Sequence, residues 1–224
     1  MGHGSTGSGQ RRLDHGMDVE NPDKGATDSV LWNRKWSGER YVAKRRANFE
    51  TVDAYLKQPV GRLLDIGCGF AYESRWFNEK YSTELWLLDG DAGANASKSE
   101  SASYGNWNAT SNELKFYHTF EFLDSKLKEL GTKNYHLVDA NNINIPEDVK
   151  FDVITSWLSC GHHYPVNTYK ELMQKHSHPG TRIMLDIRCK GSETNFIGVD
   201  GFEIVGVISN VGGKKRATVE IRLL

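Results

Sequence analysis

The sequence predicts an α/β protein built on a doubly wound sheet with an antiparallel edge. Apolar, strand-like runs recur at helix-sized intervals, and the C-terminal segment reads as two strands joined by a hairpin signal. A glycine turn, "DIGCG" at 65–69, stands where the first strand run ends, which is where such sheets bind ligands.

Each element can be justified in order. Residues 1–28 are rich in Gly, Ser, Asp and Asn, and are expected to be a disordered or expression-derived tail ahead of a single domain over 29–224. Phe49, Val52 and Leu56 fall at helical spacing, with Arg45, Arg46 and Lys57 off that face, so a helix is predicted over 38–57, ended by Pro59 and Gly61. "RLLDI" (62–66) is a strand, followed by a helix over 72–80 that carries Trp76 and Phe77. "ELWLLD" (84–89) is a continuous apolar run, as expected of a strand covered on both faces. Residues 91–112 are polar and of low complexity, either a lid or binding loop or a surface insertion. A helix over 119–130 leads to strands "YHLVDA" (135–140) and "FDVITSWL" (151–158). A short helix with Tyr169, Leu172, Met173 and His176 on one face precedes the strand "TRIMLDIR" (181–188). The tail then forms two strands joined through Gly212-Gly213.

Composition narrows the function. There are 28 Lys plus Arg against 29 Asp plus Glu, a net charge of −1, so no long-range field favours a nucleic acid or an anionic membrane. Cys68, Cys160 and Cys189 are too far apart for a C-x-x-C site, which argues against a disulfide framework or a zinc knuckle. No apolar run approaches the roughly 20 residues of a membrane span, and no signal-peptide core opens the chain, so a cytoplasmic location with reduced thiols is expected.

The glycine turn admits dinucleotides, phosphates or S-adenosylmethionine until its surroundings are read. A dinucleotide fingerprint needs a third glycine where this chain has Tyr72, and a phosphate-cradling loop needs a G-K-[ST] that is missing. Asp65, just before the turn, suits a cationic ligand. Asp89, at the end of the second strand, can accept from both hydroxyls of a ribose. Asp139-Ala140, at the end of the third, can meet an adenine amino group with the carboxylate and a ring nitrogen with the backbone N–H.

On these motifs the chain, over roughly 38–224, resembles the class I S-adenosylmethionine-dependent methyltransferases. "LLDIGCG" is similar to their first motif, with Ala71 where many members have a further glycine; "LWLLD" is similar to the second and "LVDA" to the third. The resemblance implies a Rossmann-like seven-stranded sheet with an antiparallel last strand. It also implies S-adenosyl-L-methionine as cofactor and S-adenosyl-L-homocysteine as product. The cofactor roles fall on Asp65, Gly67, Gly69, Asp89 and Asp139, and the expected site is completed by Cys68, Gly90, Ala140 and Ser156.

The methyl acceptor is sought after the fourth strand, in "SWLSCGHHYPVNTY" (156–169). This segment lacks the [DN]-P-P-[YF] of nucleobase amino methylation and the Pro-Cys of cytosine C5 enzymes, and no ligand set for a catalytic metal stands out. The spacing S-x-L-S-x-G-x-H-Y-P is similar to segments of a group of sugar O-methyltransferases of glycan biosynthesis. That resemblance implies transfer to a hydroxyl of a small polar substrate, a sugar among the candidates, with His163 as first and His162 as second choice of general base. Tyr164 and Tyr169 could stack on a sugar face or simply pack. Trp32, Trp36, Arg40 and Arg45 precede the first strand, where a substrate cover is often built. Arg45-Arg46 is read as a solvated helix face, with an anion-binding pair as the alternative. A protein or other N-directed methyltransferase, and a non-catalytic cofactor-binding module of the same fold, are the competing readings.

Overall fold

The computed structural model describes residues 37–90, 118–162, 165–190, 196–210 and 215–224. The expected tail, the 91–112 insertion, Trp32, Trp36, His163, Tyr164 and the Gly212-Gly213 turn lie outside the described residues.

Seven strands form one sheet: β1 (Arg62–Ile66), β2 (Glu84–Asp89), β3 (Tyr135–Asp139), β4 (Val153–Ser156), β5 (Arg182–Arg188), β6 (Phe202–Ser209) and β7 (Arg216–Leu223). Their order is β3-β2-β1-β4-β5-β7-β6. Strands β1 to β5 run parallel, while β7 is antiparallel to both β5 and β6. This is the expected doubly wound sheet with a reversed last strand. The order changes direction between β1 and β4, and that switch point places the C-terminal ends of β1, β2 and β4 beside one crevice.

Among the described residues the helices are α1 (Glu39–Leu56), α2 (Tyr72–Tyr81), α3 (Phe120–Glu129) and α4 (Lys170–His176), the last entered through a 3-10 turn at Val166–Tyr169. Strand residues alternate between two apolar layers. Leu63, Leu85, Leu87, Val153 and Met184 pack with Phe49, Val52 and Leu56 of α1, Phe77 of α2 and Leu123 and Leu127 of α3. Leu64, Ile66, Leu88, Ile154, Ile183 and Leu185 point the other way, onto Tyr169 and Met173. The handedness of parallel crossovers accounts for this division: β1-α2-β2-α3-β3 winds one way from the switch point and β4-α4-β5 the other, so their helices fall on opposite faces.

Two expectations are corrected. Arg45 does not lie on a solvated helix face; it is 5% exposed and its guanidinium pairs with buried Glu73 of α2. Counting from Phe49 in steps of three and four places Arg45 on the same stripe as Val52 and Leu56, so the packed face of α1 begins with a charge. Arg46 is exposed and pairs with Glu50. The fourth strand is shorter than 151–158: it stops at Ser156, and the chain turns through Leu158, whose φ is 58°.

Candidate functional site

The site is assembled where four strand ends are stitched together. Ser156 Oγ donates to the Ile66 carbonyl at 2.6 Å, joining the end of β4 to the end of β1. The Gly67 and Cys68 N–H groups donate to the Leu88 carbonyl at 2.7 and 3.1 Å, joining the glycine turn to β2. Gly69 N–H donates to Asp89 Oδ2 at 2.7 Å, and Ala140 N–H donates to the Asp89 carbonyl at 2.8 Å, joining β2 to β3. Asp65, Gly67, Cys68, Gly69, Asp89, Gly90, Asp139 and Ala140 therefore meet along one edge of the sheet.

The turn depends on its glycines. Gly67 and Gly69 have φ of 70° and 53°, in the left-handed region. A Cβ built on Gly69 would meet nothing within 4 Å, so open space lies over the turn among the described residues. Ala71 also takes a left-handed conformation (φ 50°), and its methyl is buried. It occupies the N-cap of α2 without the benefit of glycine.

Three carboxylates face this edge in different environments. Asp65 is fully buried; Ser74 Oγ donates to its Oδ2 at 2.5 Å, and Oδ1 has no hydrogen-bond partner among the described residues. Burial pushes its carboxyl up to about 7, the Glu73 and Asp89 charges adding to the rise, while the Ser74 hydrogen bond and the Arg45 charge oppose it. Asp89 is partly exposed; its Oδ2 takes Gly69 N–H and its Oδ1 takes Gly90 N–H at 2.8 Å. Each oxygen keeps a lone pair for a ligand hydroxyl. Asp139 Oδ1 accepts from the Asn141 backbone at 2.9 Å and side chain at 3.1 Å.

Other expected site groups are committed elsewhere. The Ala140 N–H, foreseen as a donor to an adenine ring nitrogen, is spent on Asp89. Ser156 is fully buried and does not offer its hydroxyl to a ligand, because it donates to Ile66 and accepts Cys160 N–H at 2.8 Å. The Cys68 thiol is held in protonated form by burial, which raises its pKa well above the usual thiol value, with the Asp89 and Asp65 charges adding to it. His162 is half-buried in the turn after β4, its N–H donating to the Ser159 carbonyl at 2.9 Å. That turn is held against β5: Leu158 N–H donates to Asp186 Oδ2 at 3.1 Å, and Arg188 N–H to the Gly161 carbonyl at 3.0 Å.

Sequence reasoning misplaced Arg45 and missed several other residues here. Glu73, Arg45 and Asn48 form a buried polar cluster that docks α1 on the first turn of α2, with Asn48 Nδ2 donating to Glu73 at 3.0 Å. His118 is 1% exposed, packs on the Phe70 ring at 5.3 Å between centroids, and brings Nε2 to 3.7 Å from Asp89 Oδ2. Trp157 is buried with its indole N–H unpartnered among the described residues. Spacing from Phe49 could have found Arg45; nothing local marks the other residues.

No protein-family model matches the chain, and no curated protein matches it. Solved structures share its fold at low identity. A mutant of MtNAS in complex with S-adenosylmethionine aligns at 13% identity and a TM-score of 0.53, over 86% of this chain and 66% of that one. The PH0226 protein of Pyrococcus horikoshii OT3 aligns at 12% identity and a TM-score of 0.54, over 87% and 96%. A SAM-dependent methyltransferase from Aquifex aeolicus aligns at 12% identity and a TM-score of 0.50, over 82% and 89%. The chain thus spans about two thirds of the MtNAS length, and at these identities the likeness is one of fold.

Proposed function

We propose that the chain is an S-adenosylmethionine-dependent methyltransferase acting on a hydroxyl of a small polar acceptor, with sugars as the first class to try. The observation that carries the methyltransferase reading is the Gly69–Asp89 contact at the switch point: a left-handed turn with open space above it, braced by a carboxylate that keeps lone pairs for a diol. Two likenesses in fold, to an S-adenosylmethionine complex and to a methyltransferase, support it.

The residues present fit this cofactor. Asp89 would hold the ribose hydroxyls, Asp139 the adenine amino group, and Gly67 and Gly69 would let the ligand approach the backbone. Asp65 Oδ1 is a buried carboxylate oxygen with no partner among the described residues, which suits an ammonium group. When bound, the cofactor supplies an electrophilic methyl group on a sulfonium. The protein's part is to orient the acceptor oxygen and remove its proton. Orientation can contribute on the order of 7–11 kcal/mol, and a general base about 10²–10⁴-fold. We assign the base to His163 by motif position, with His162 second. The turn that carries His162 is anchored by Asp186 and by the Gly161–Arg188 hydrogen bond.

The test combines calorimetric titration with S-adenosylmethionine and turnover of a labelled methyl group over an array of sugars, peptides and amines. Binding that Asp89→Ala weakens strongly, with transfer to sugar hydroxyls that His163→Ala abolishes at unchanged cofactor affinity, is the expected result. Transfer to peptide or amine nitrogen would overturn the acceptor assignment, and absence of binding in the wild type would overturn the cofactor.

A further inference from the structure

His118 stands outside every motif, yet it lies against the carboxylate at the end of β2. Its Nε2 is 3.7 Å from Asp89 Oδ2, too far for a direct hydrogen bond and close enough for both groups to reach one small polar atom. Its Nδ1 is buried and has no hydrogen-bond partner among the described residues. The ring is fixed rather than mobile: it is 1% exposed, packs on Phe70, and precedes Thr119, whose side chain caps α3 by accepting Phe122 N–H.

We propose that His118 is a second reader of the ligand's ribose, hydrogen-bonding a hydroxyl whose proton is taken by Asp89. The inference rests on the assignment of Asp89 to the ribose diol. A hydroxyl oxygen that donates to a carboxylate still accepts, and the ε-protonated imidazole offers a donor on that side. Asp89 supplies the charge that attracts the diol, and His118 supplies the direction in which one oxygen must lie. Together they would make the site answer to the presence of that oxygen, since a deoxy ligand would leave both a carboxylate lone pair and an imidazole N–H without a partner.

The experiment titrates the full chain with S-adenosylhomocysteine and with its 2′-deoxy and 3′-deoxy analogues, in wild type, His118→Ala and His118→Gln, with melting temperatures taken alongside. In the wild type, one deoxy analogue is expected to bind at least about tenfold more weakly than the parent. His118→Ala should weaken the parent about tenfold while leaving that analogue nearly unchanged, so the discrimination collapses, and His118→Gln should restore part of it. Equal weakening of parent and analogues would show a purely structural role and overturn the proposal, as would unchanged binding throughout. Failure of the wild type to bind S-adenosylhomocysteine at all would overturn the cofactor assignment itself, a separate and recognisable result.

Discussion

Ser74 Oγ donates to Asp65 Oδ2 at 2.5 Å, and no other hydrogen bond reaches that buried carboxyl from the described residues. Burial favours the neutral acid and pushes it up to about 7, from an ordinary value of 3.8. The folded protein therefore keeps this proton to higher pH than the unfolded chain does. Its contribution to stability is complete below about pH 4 and is lost as pH rises through about 7, on the order of 4 kcal/mol across the window. Melting temperatures from pH 4 to 8 should fall more steeply in the wild type than in Asp65→Asn; parallel curves would refute the assignment. A ligand that sets a cation against Oδ1 draws the carboxyl down again. Binding near pH 7 should then release a proton, visible as different calorimetric heats in buffers of different ionisation enthalpy.

The Arg45–Glu73 pair is almost completely shielded, with side chains 6% and 3% exposed. Removing one partner strands the other charge. Arg45→Met is expected to cost about 3–5 kcal/mol, and adding Glu73→Gln should recover most of it, since a glutamine oxygen still accepts from Asn48. Urea midpoints of the two single variants and the double variant give the coupling directly; additive losses would count against it.

Two glycines with positive φ should fail in different ways. A Cβ on Gly161 would lie 3.0 Å from the Asp186 carbonyl oxygen and 3.1 Å from Ile187 Cγ1, at a φ of 87°. Gly161→Ala should therefore lose about 2–4 kcal/mol of stability and shift the turn that carries His162. Gly69 has open space above it, so Gly69→Ala carries the conformational cost alone, about 1–2 kcal/mol. Its methyl group would project into the space assigned to the ligand, and cofactor affinity should drop by more than stability does. Circular dichroism melts and titration of both variants make the comparison.

Ser156→Ala removes the hydroxyl that serves the Ile66 carbonyl and the Cys160 N–H, leaving two buried backbone groups unpaired. We expect a loss of about 1–3 kcal/mol with cofactor affinity held within twofold in the fraction that folds. A large drop in affinity at unchanged melting temperature would return Ser156 to the binding site.

Strands were legible where the chain declares them by itself. β1 and β2 carry unbroken apolar runs that end in an acid, and both match their expected limits. The end of β4 was not legible, because what turns the chain at Leu158 is a carboxylate on β5, Asp186, 28 residues further on. The same holds for the site. Glycines and acids at strand ends announce themselves by position, whereas the Arg45–Glu73 pair and the approach of His118 to Asp89 depend on partners brought together by the fold. Ser156 failed for the converse reason: its place at a strand end was readable, but the two backbone groups that claim its hydroxyl were not.

The bond from Gly69 to Asp89 also bears on how this chain can diverge. Asp89 braces the turn whether or not anything is bound, so selection for folding alone would retain it. In descendants relieved of the need to bind a ligand, Asp89 should therefore persist for as long as the turn it braces does.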